Sequence, residues 1–171
     1  MARLLLENIA RFVVLVLAQV FLFKNIGYYN MVAIFPYILF ILLLPLNTPK
    51  MLLFVLAFLT GVTVDAFYDT LGVHAAACVS LAWVRIIFLN LTQTIENHEP
   101  LATPNMSEMS FRWFFIYVIV LTFIHHFALF TLEAFSLKHF LPTLASIAFS
   151  CIFTVIIMLL FEFVFYKRKR R

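Results

Sequence analysis

Two aspartates, two glycines and a histidine lie close together in an otherwise apolar stretch of the chain. They are Gly61, Asp65, Asp69, Gly72 and His74. Neighbouring carboxylates and an imidazole could hold a cation, pass a proton or form part of a catalytic dyad. Gly61, Asp65 and Asp69 are spaced four residues apart, which predicts one stripe along a helix, and His74 returns just after a tight turn at Gly72.

This cluster has two interpretations. In the first it is an ion or proton site, because acids within membrane-spanning segments often mark such pathways. In the second it is a clamp between two helices, in which Asp65 accepts hydrogen bonds from the turn and Gly61 lets a neighbouring backbone approach closely. His74 could pair with either carboxylate. We favour the clamp, because one acid near an interface is not a relay and no second acid lies deep in another apolar run.

Two further sets of polar side chains lie within apolar runs. His125 and His126 are adjacent, so on a helix they point about 100° apart and cannot comfortably ligate one metal ion. We expect one to face the interior of the bundle and the other the membrane interface. Ser146, Ser150 and Thr154 form a small, hydroxylated stripe suited to close helix packing, which we favour over substrate binding.

The sequence contains no Walker loop, zinc-ligand spacing, HExxH or GxSxG motif. Asp69 and His74 could approach each other as a dyad, but no serine or cysteine nucleophile is obviously placed beside them. We therefore predict that the chain is not an enzyme and that it binds no cofactor and no metal ion. A membrane-embedded enzyme is the weakest of the alternatives.

The composition indicates a membrane protein. Of 171 residues, 65% are hydrophobic and only 12% are charged, whereas soluble domains have about 25% charged residues. The net charge of +4 does not indicate nucleic-acid binding, because the basic residues are thinly spread apart from the last five, 167–171. We read these five as the positive-inside signal and as a contact with anionic lipid headgroups.

The apolar runs predict an all-α membrane protein in which residues 1–171 form a single integral domain with six transmembrane helices. We place the spans at about residues 4–23, 31–46, 50–68, 73–92, 107–132 and 141–166. The run at 31–46 is short for a span and contains Pro36 and Pro45. We therefore expect a short, kinked or partly broken helix that is covered by the other helices.

The orientation follows from the basic residues. The tail at 167–171 directly follows the last span, and basic residues near span ends stay in the cytoplasm. With six spans, both termini are then cytoplasmic. A five-span arrangement would put the N-terminus outside and move Arg3 and Arg11 to the wrong side, so we prefer six.

Residues 58–75, FLTGVTVDAFYDTLGVHA, resemble the core signature of the MreD family of rod shape-determining membrane proteins. In that family a glycine precedes a span aspartate by four residues and a Leu-Gly pair follows, which Gly61, Asp65, Leu71 and Gly72 match. Pro36 is similar to the family's proline before its second span. The chain departs from the pattern in the acidic loop after its fourth span and in having histidine at position 74.

The resemblance implies a non-enzymatic scaffold or regulator in the bacterial inner membrane. Its implied partners are an MreC-like bitopic protein and the other members of the elongation complex, namely MreB, RodA and a class B penicillin-binding protein. The implied fold is similar to the six-helix substrate-binding subunits of ECF vitamin transporters. A small-solute transporter subunit is the rival interpretation, in which Asp65, His74 and His125 would contact a ligand.

Overall fold

The computed structural model describes residues 2–26, 32–92, 102–134 and 140–164, and within these ranges the regular elements are helices. The helices are α1 (Ala2–Ala18), α2 (Leu39–Leu42), α3 (Lys50–Tyr68), α4 (Val73–Thr92), α5 (Phe111–Ala134) and α6 (Phe140–Val164). A π-helical turn, Gln19–Phe23, continues α1, and a 3-10 turn, Pro36–Ile38, leads directly into α2. The predicted basic tail, residues 167–171, lies outside the described residues.

Within the described residues, five helices are long and apolar enough to cross a membrane. These segments are Leu5–Phe23, Lys50–Tyr68, Val73–Thr92, Phe111–Ala134 and Leu141–Val164. Their outward faces expose large apolar side chains, among them Phe21, Trp83, Phe123, Phe149 and Leu160. Faces of this kind are stable against lipid tails and unfavourable in water. The chain is a helical bundle of the multi-pass membrane type.

The four long helices from α3 to α6 pack in order along the chain, each against the next. Residues 32–46, which we call the central segment, lie inside this arrangement. The short helices of the central segment contact α1, α3, α4 and α6, and every residue from Ile34 to Leu44 is buried.

The central segment is helical over only seven residues because proline limits it at both ends. Pro36 occupies the first position of the 3-10 turn, where its missing N–H costs nothing, and Pro45 follows the end of α2. Residues 33–35 are not helical. The structure thus has the short, broken and buried helix that the two prolines predict.

Contacts at its two ends fix the direction of the central segment. Its first residues contact Gln19, in the π-helical turn that continues α1, and His74 of α4. Its last residues contact Arg11 of α1 and Arg85 of α4. The central segment therefore runs parallel to α4 and antiparallel to α1. It passes from the end of the bundle where α3 stops, the Tyr68 end, to the end where α3 starts, the Lys50 end.

The bounds of α3 and α4 are those that the sequence predicts, whereas α5 begins later. The side chain of Asn105 accepts hydrogen bonds from the backbone N–H groups of Ser107 and Glu108, both at 2.9 Å, but this turn ends before α5 starts at Phe111. The preceding chain folds back onto the bundle, where the carbonyl of Ala102 accepts a hydrogen bond from the N–H of Leu46 at 2.9 Å.

Candidate functional site

Asp65 joins the last turns of α3 to the first turn of α4. Its Oδ1 accepts hydrogen bonds from the hydroxyl of Thr70 at 2.5 Å and from the N–H of His74 at 3.0 Å, and its Oδ2 accepts one from the N–H of Ala75 at 2.9 Å. The first N–H groups of a helix have no partner within that helix. A carboxylate satisfies them and also complements the positive end of the helix dipole. Asp65 of α3 therefore caps α4.

Gly61 lies one turn before Asp65 and brings the two helices into backbone contact. A Cβ atom at this position would lie 2.6 Å from the N atom of Ala75 and 2.7 Å from the carbonyl oxygen of His74. Both atoms belong to the backbone of α4, so neither can move aside alone. Gly72, with a φ of 81°, allows the left-handed turn that returns the chain to α4. These contacts are those of the clamp interpretation.

Asp69 leaves the predicted stripe, which is wrong at this position. Helix α3 ends at Tyr68, and Asp69 adopts a left-handed conformation with φ 56° and ψ 35°. Its N–H donates to the carbonyl of Asp65, and the residue is exposed. Asp69 therefore lies beyond the end of α3 and is exposed, whereas Asp65 is buried within the helix.

The ring of His74 contacts a tyrosine of the central segment. Its backbone joins the clamp, but its Nδ1 lies 3.0 Å from the hydroxyl oxygen of Tyr37 in the central segment. The same hydroxyl lies 2.9 Å from Nε2 of His125, and the thiol of Cys78 donates to it at 3.6 Å. The predicted pairing of His74 with Asp65 or Asp69 is replaced by a pairing with Tyr37.

The side chains of Phe35, Tyr37, His74, His125 and His126 form one buried group, which we call the histidine cluster. The ring of Phe35 lies at its centre. The centroid of that ring is 5.2 Å from His74, 5.5 Å from His126, 6.1 Å from His125 and 6.3 Å from Tyr37. An aromatic side chain thus fills the space between the polar groups.

The prediction that one of the two adjacent histidines faces the interface is wrong, because both are fully buried. Because the two side chains point in different directions, they contact different parts of the structure. His125 contacts Tyr37, whereas the Nδ1 of His126 lies 2.9 Å from the carbonyl of Thr122 and its Nε2 lies 3.1 Å from the hydroxyl of Thr154. The two rings therefore have different hydrogen-bond partners.

The hydroxyl stripe of α6 binds backbone of the central segment. Ser150 accepts a hydrogen bond from the N–H of Ala33 at 2.9 Å, and Thr154 accepts one from the N–H of Phe35 at 3.1 Å. Ser146 is half-buried. The sequence predicts only close helix packing for this stripe. The hydroxyls of this stripe also accept hydrogen bonds from N–H groups of the central segment. These groups have no helical partner and lie in an apolar environment.

Arg85 and Tyr117 complete the site at the Lys50 end, and the sequence analysis did not identify either as a site residue. The Nη2 of Arg85 donates to the carbonyls of Leu44 at 2.5 Å and Pro45 at 3.4 Å, and its Nε donates to the hydroxyl of Tyr117 at 2.9 Å. That hydroxyl donates to the carbonyl of Leu42 at 2.9 Å. The last carbonyls of a helix lack internal partners. Pro45 is the signal that could have revealed Arg85. It ends α2, and the last carbonyl groups of that helix must then accept hydrogen bonds from another part of the chain.

Replacing Arg85 by methionine is expected to lower the stability of the folded protein by about 2–3 kcal/mol, because buried carbonyls lose a charged donor. Thermal unfolding of the detergent-solubilised protein measures this effect. Arg112→Met is the matched control, because Arg112 is exposed near the same end of the bundle. Equal unfolding temperatures for the two variants would contradict a role for Arg85 in holding the central segment.

The described residues contain no group of three or more histidine, cysteine, aspartate or glutamate side chains that could hold a metal ion. The arrangement as a whole immobilises backbone: Asp65 holds the start of α4, while Arg85, Ser150 and Thr154 hold the central segment. Comparison with protein-family models, with curated proteins and with solved structures finds no match for this chain.

Proposed function

We propose that this chain is a non-enzymatic scaffold or regulator of the bacterial cell elongation complex, of the MreD type, in the inner membrane. The observation that carries the proposal is the clamp. Gly61, Asp65 and Gly72, three of the four residues that match the family signature, together hold α3 and α4 in backbone contact at the Tyr68 end. The signature residues fix how two helices pack against each other. This role is expected of a scaffold, which needs a rigid surface for binding other helices.

The occupation of the polar groups supports a structural role. Asp65 is the acid best placed for proton or ion chemistry, yet its two oxygens already accept three hydrogen bonds from Thr70, His74 and Ala75. A carboxylate offers about four lone-pair sites, so the clamp uses most of the capacity of Asp65 to bind a proton or a cation. Freeing more of these sites would expose the first turn of α4.

The proposal includes six crossings of the membrane, with the central segment as the second, and cytoplasmic N- and C-termini. Two features support it. The central segment runs between the two ends of the bundle, as a crossing would. The end of α6 also lies at the Lys50 end, where Glu162 accepts a hydrogen bond from the N–H of Met106 at 3.3 Å. Residues 167–171 follow α6 in the sequence, so this end is the cytoplasmic one in our proposal.

The partners in this proposal are the transmembrane helix of an MreC-like bitopic protein and, with it, MreB, RodA and a class B penicillin-binding protein. The apolar outward faces of the long helices are suited to contacts with single helices within the bilayer. In such contacts van der Waals packing and shape provide the affinity, so a rigid bundle is an advantage.

Co-purification from native membranes tests the proposed function. We expect the tagged protein, extracted in mild detergent, to retain the elongation proteins, and a tagged unrelated multi-pass protein to retain none of them. Recovery of an energy-coupling module instead would favour the transporter alternative. Turnover of a cell-wall precursor by the protein purified alone would contradict the non-enzymatic proposal.

The alternative is the substrate-binding subunit of a small-solute, vitamin-type transporter. The histidine cluster favours it, because several hydrogen-bonding side chains converge in the core near the Tyr68 end. Ligand sites of this class are cavities of about 300–1,000 Å³. The ring of Phe35 occupies the centre of the cluster, so a ligand of that size would have to displace it. We therefore keep the scaffold as the main proposal.

A further inference from the structure

Two polar side-chain atoms that belong to fully buried residues of α5 have no hydrogen-bond partner. They are the hydroxyl oxygen of Thr122 and the Nδ1 atom of His125, and both residues have an exposed fraction of 0%. Residues three apart on a helix are neighbours on the same face. Two unsatisfied polar atoms therefore lie within about one turn of each other in the core.

The hydroxyl of Thr122 behaves differently from those of other threonines in these helices. Thr60, Thr63 and Thr92 each donate to the carbonyl four residues earlier, at 2.7, 2.7 and 2.8 Å. Thr122 does not, and its own carbonyl lies 2.9 Å from the Nδ1 of His126. The hydroxyl of Thr122 thus has no partner in its own helix, unlike the hydroxyls of these three threonines.

The Nδ1 atom of His125 lacks a hydrogen-bond partner in either tautomer of its ring. The hydroxyl of Tyr37 has one proton and lies within hydrogen-bonding distance of both His74 and His125. If Tyr37 donates to the Nε2 of His125, then the Nδ1 of the neutral ring carries a buried N–H. If His125 donates to Tyr37, then its Nδ1 presents a buried lone pair. In both cases Nδ1 requires a partner.

We propose that one water molecule is bound in the core of the bundle between the hydroxyl of Thr122 and the Nδ1 of His125. Water is the small molecule that fits both proton arrangements, because it can donate to a lone pair and accept from an N–H. Buried waters occupy such places, where otherwise unsatisfied polar groups are close together. This water would extend the chain of hydrogen bonds from His74 through Tyr37 and His125 to Thr122.

Two measurements on the wild-type protein test the proposal. A structure at a resolution that shows ordered solvent should contain a single water-sized density within hydrogen-bonding distance of both atoms. Solid-state NMR of the protein in bilayers should transfer magnetisation from water to the Nδ1 of His125. A dry site in either measurement, or a density larger than water, would overturn the proposal.

The Thr122→Val substitution is expected to change the unfolding temperature in opposite directions, depending on whether the site holds a water molecule. If water is bound, valine removes one of its anchors, so the transfer to His125 is lost and the unfolding temperature falls. If the site is dry, valine replaces an unsatisfied hydroxyl and the unfolding temperature rises. Thr60→Val is the matched control: Thr60 is equally buried in α3 but bonds within its own helix, so it should leave the His125 signal unchanged.

Discussion

Replacing Asp65 by alanine is expected to lower the free energy of unfolding by about 2–4 kcal/mol, which is the largest effect that we predict for removal of a single side chain. Three donors lose their acceptor together, namely the hydroxyl of Thr70 and the N–H groups of His74 and Ala75. Hydrogen bonds to charged groups contribute about 1.5–3 kcal/mol each when considered alone, and the loss here is not additive because water or lipid headgroups can reach part of the turn. The effect is measured as a lower thermal unfolding temperature in detergent.

Asp65→Asn separates the clamp from an ion or proton site. Asparagine keeps one carbonyl oxygen, but its NH₂ group would face the N–H of Ala75, so a donor would meet a donor. In a clamp this variant is less stable than the wild type. An Asp65→Asn protein that unfolds at the wild-type temperature and yet fails in cell-shape complementation would instead support proton or ion chemistry.

Asp69→Asn is the control for both Asp65 variants. Asp69 lies four residues away and is exposed, and asparagine tolerates its left-handed conformation. This substitution removes a negative charge at the same end of the bundle without touching the clamp. We expect its unfolding temperature to match that of the wild type.

Gly61→Ala is expected to destabilise the bundle by about 3 kcal/mol, at the upper end of what an added methyl group costs in a packed core. The new Cβ would lie 2.6 Å from the N atom of Ala75 and 2.7 Å from the carbonyl oxygen of His74. Since both are backbone atoms, α3 and α4 must separate along their length. That separation would also pull the N–H groups of α4 away from Asp65, so the two effects reinforce each other.

The measurement for Gly61→Ala is thermal unfolding, supported by the yield of monodisperse protein after extraction. Val62→Ile is the matched control, because it adds one methyl group at the neighbouring position on the exposed face of α3. We expect the control to resemble the wild type. If Gly61→Ala behaves like Val62→Ile, then the backbones of α3 and α4 are not in contact at Gly61.

The features that the sequence predicted well depend on local rules. Helices α3 and α4 have the predicted bounds because long apolar runs and a turn at Asp69–Gly72 limit them. The clamp could be predicted for the same reason, since Asp65 is only nine and ten residues from the N–H groups that it caps. The prolines likewise predicted that the central segment would be short and broken.

The directions of the polar side chains could not be predicted locally. Tyr37 meets His125 across 88 residues of sequence, and Arg85 meets Leu44 across 41. The expectations for His74 and for the pair His125 and His126 were wrong for one reason: their rings bind the central segment or a group packed beside it.

The sequence by itself therefore determined that the chain forms apolar helices, where α3 and α4 begin and end, and that Asp65 and Gly61 can join them. Only the tertiary structure decided which helices surround the central segment and which side chains supply its missing hydrogen bonds. The physical reason is the distance along the sequence over which each interaction acts. Helix propensity, turn conformation and capping act within a few residues, whereas a buried polar group takes its partner from whichever element packing brings within about 3 Å.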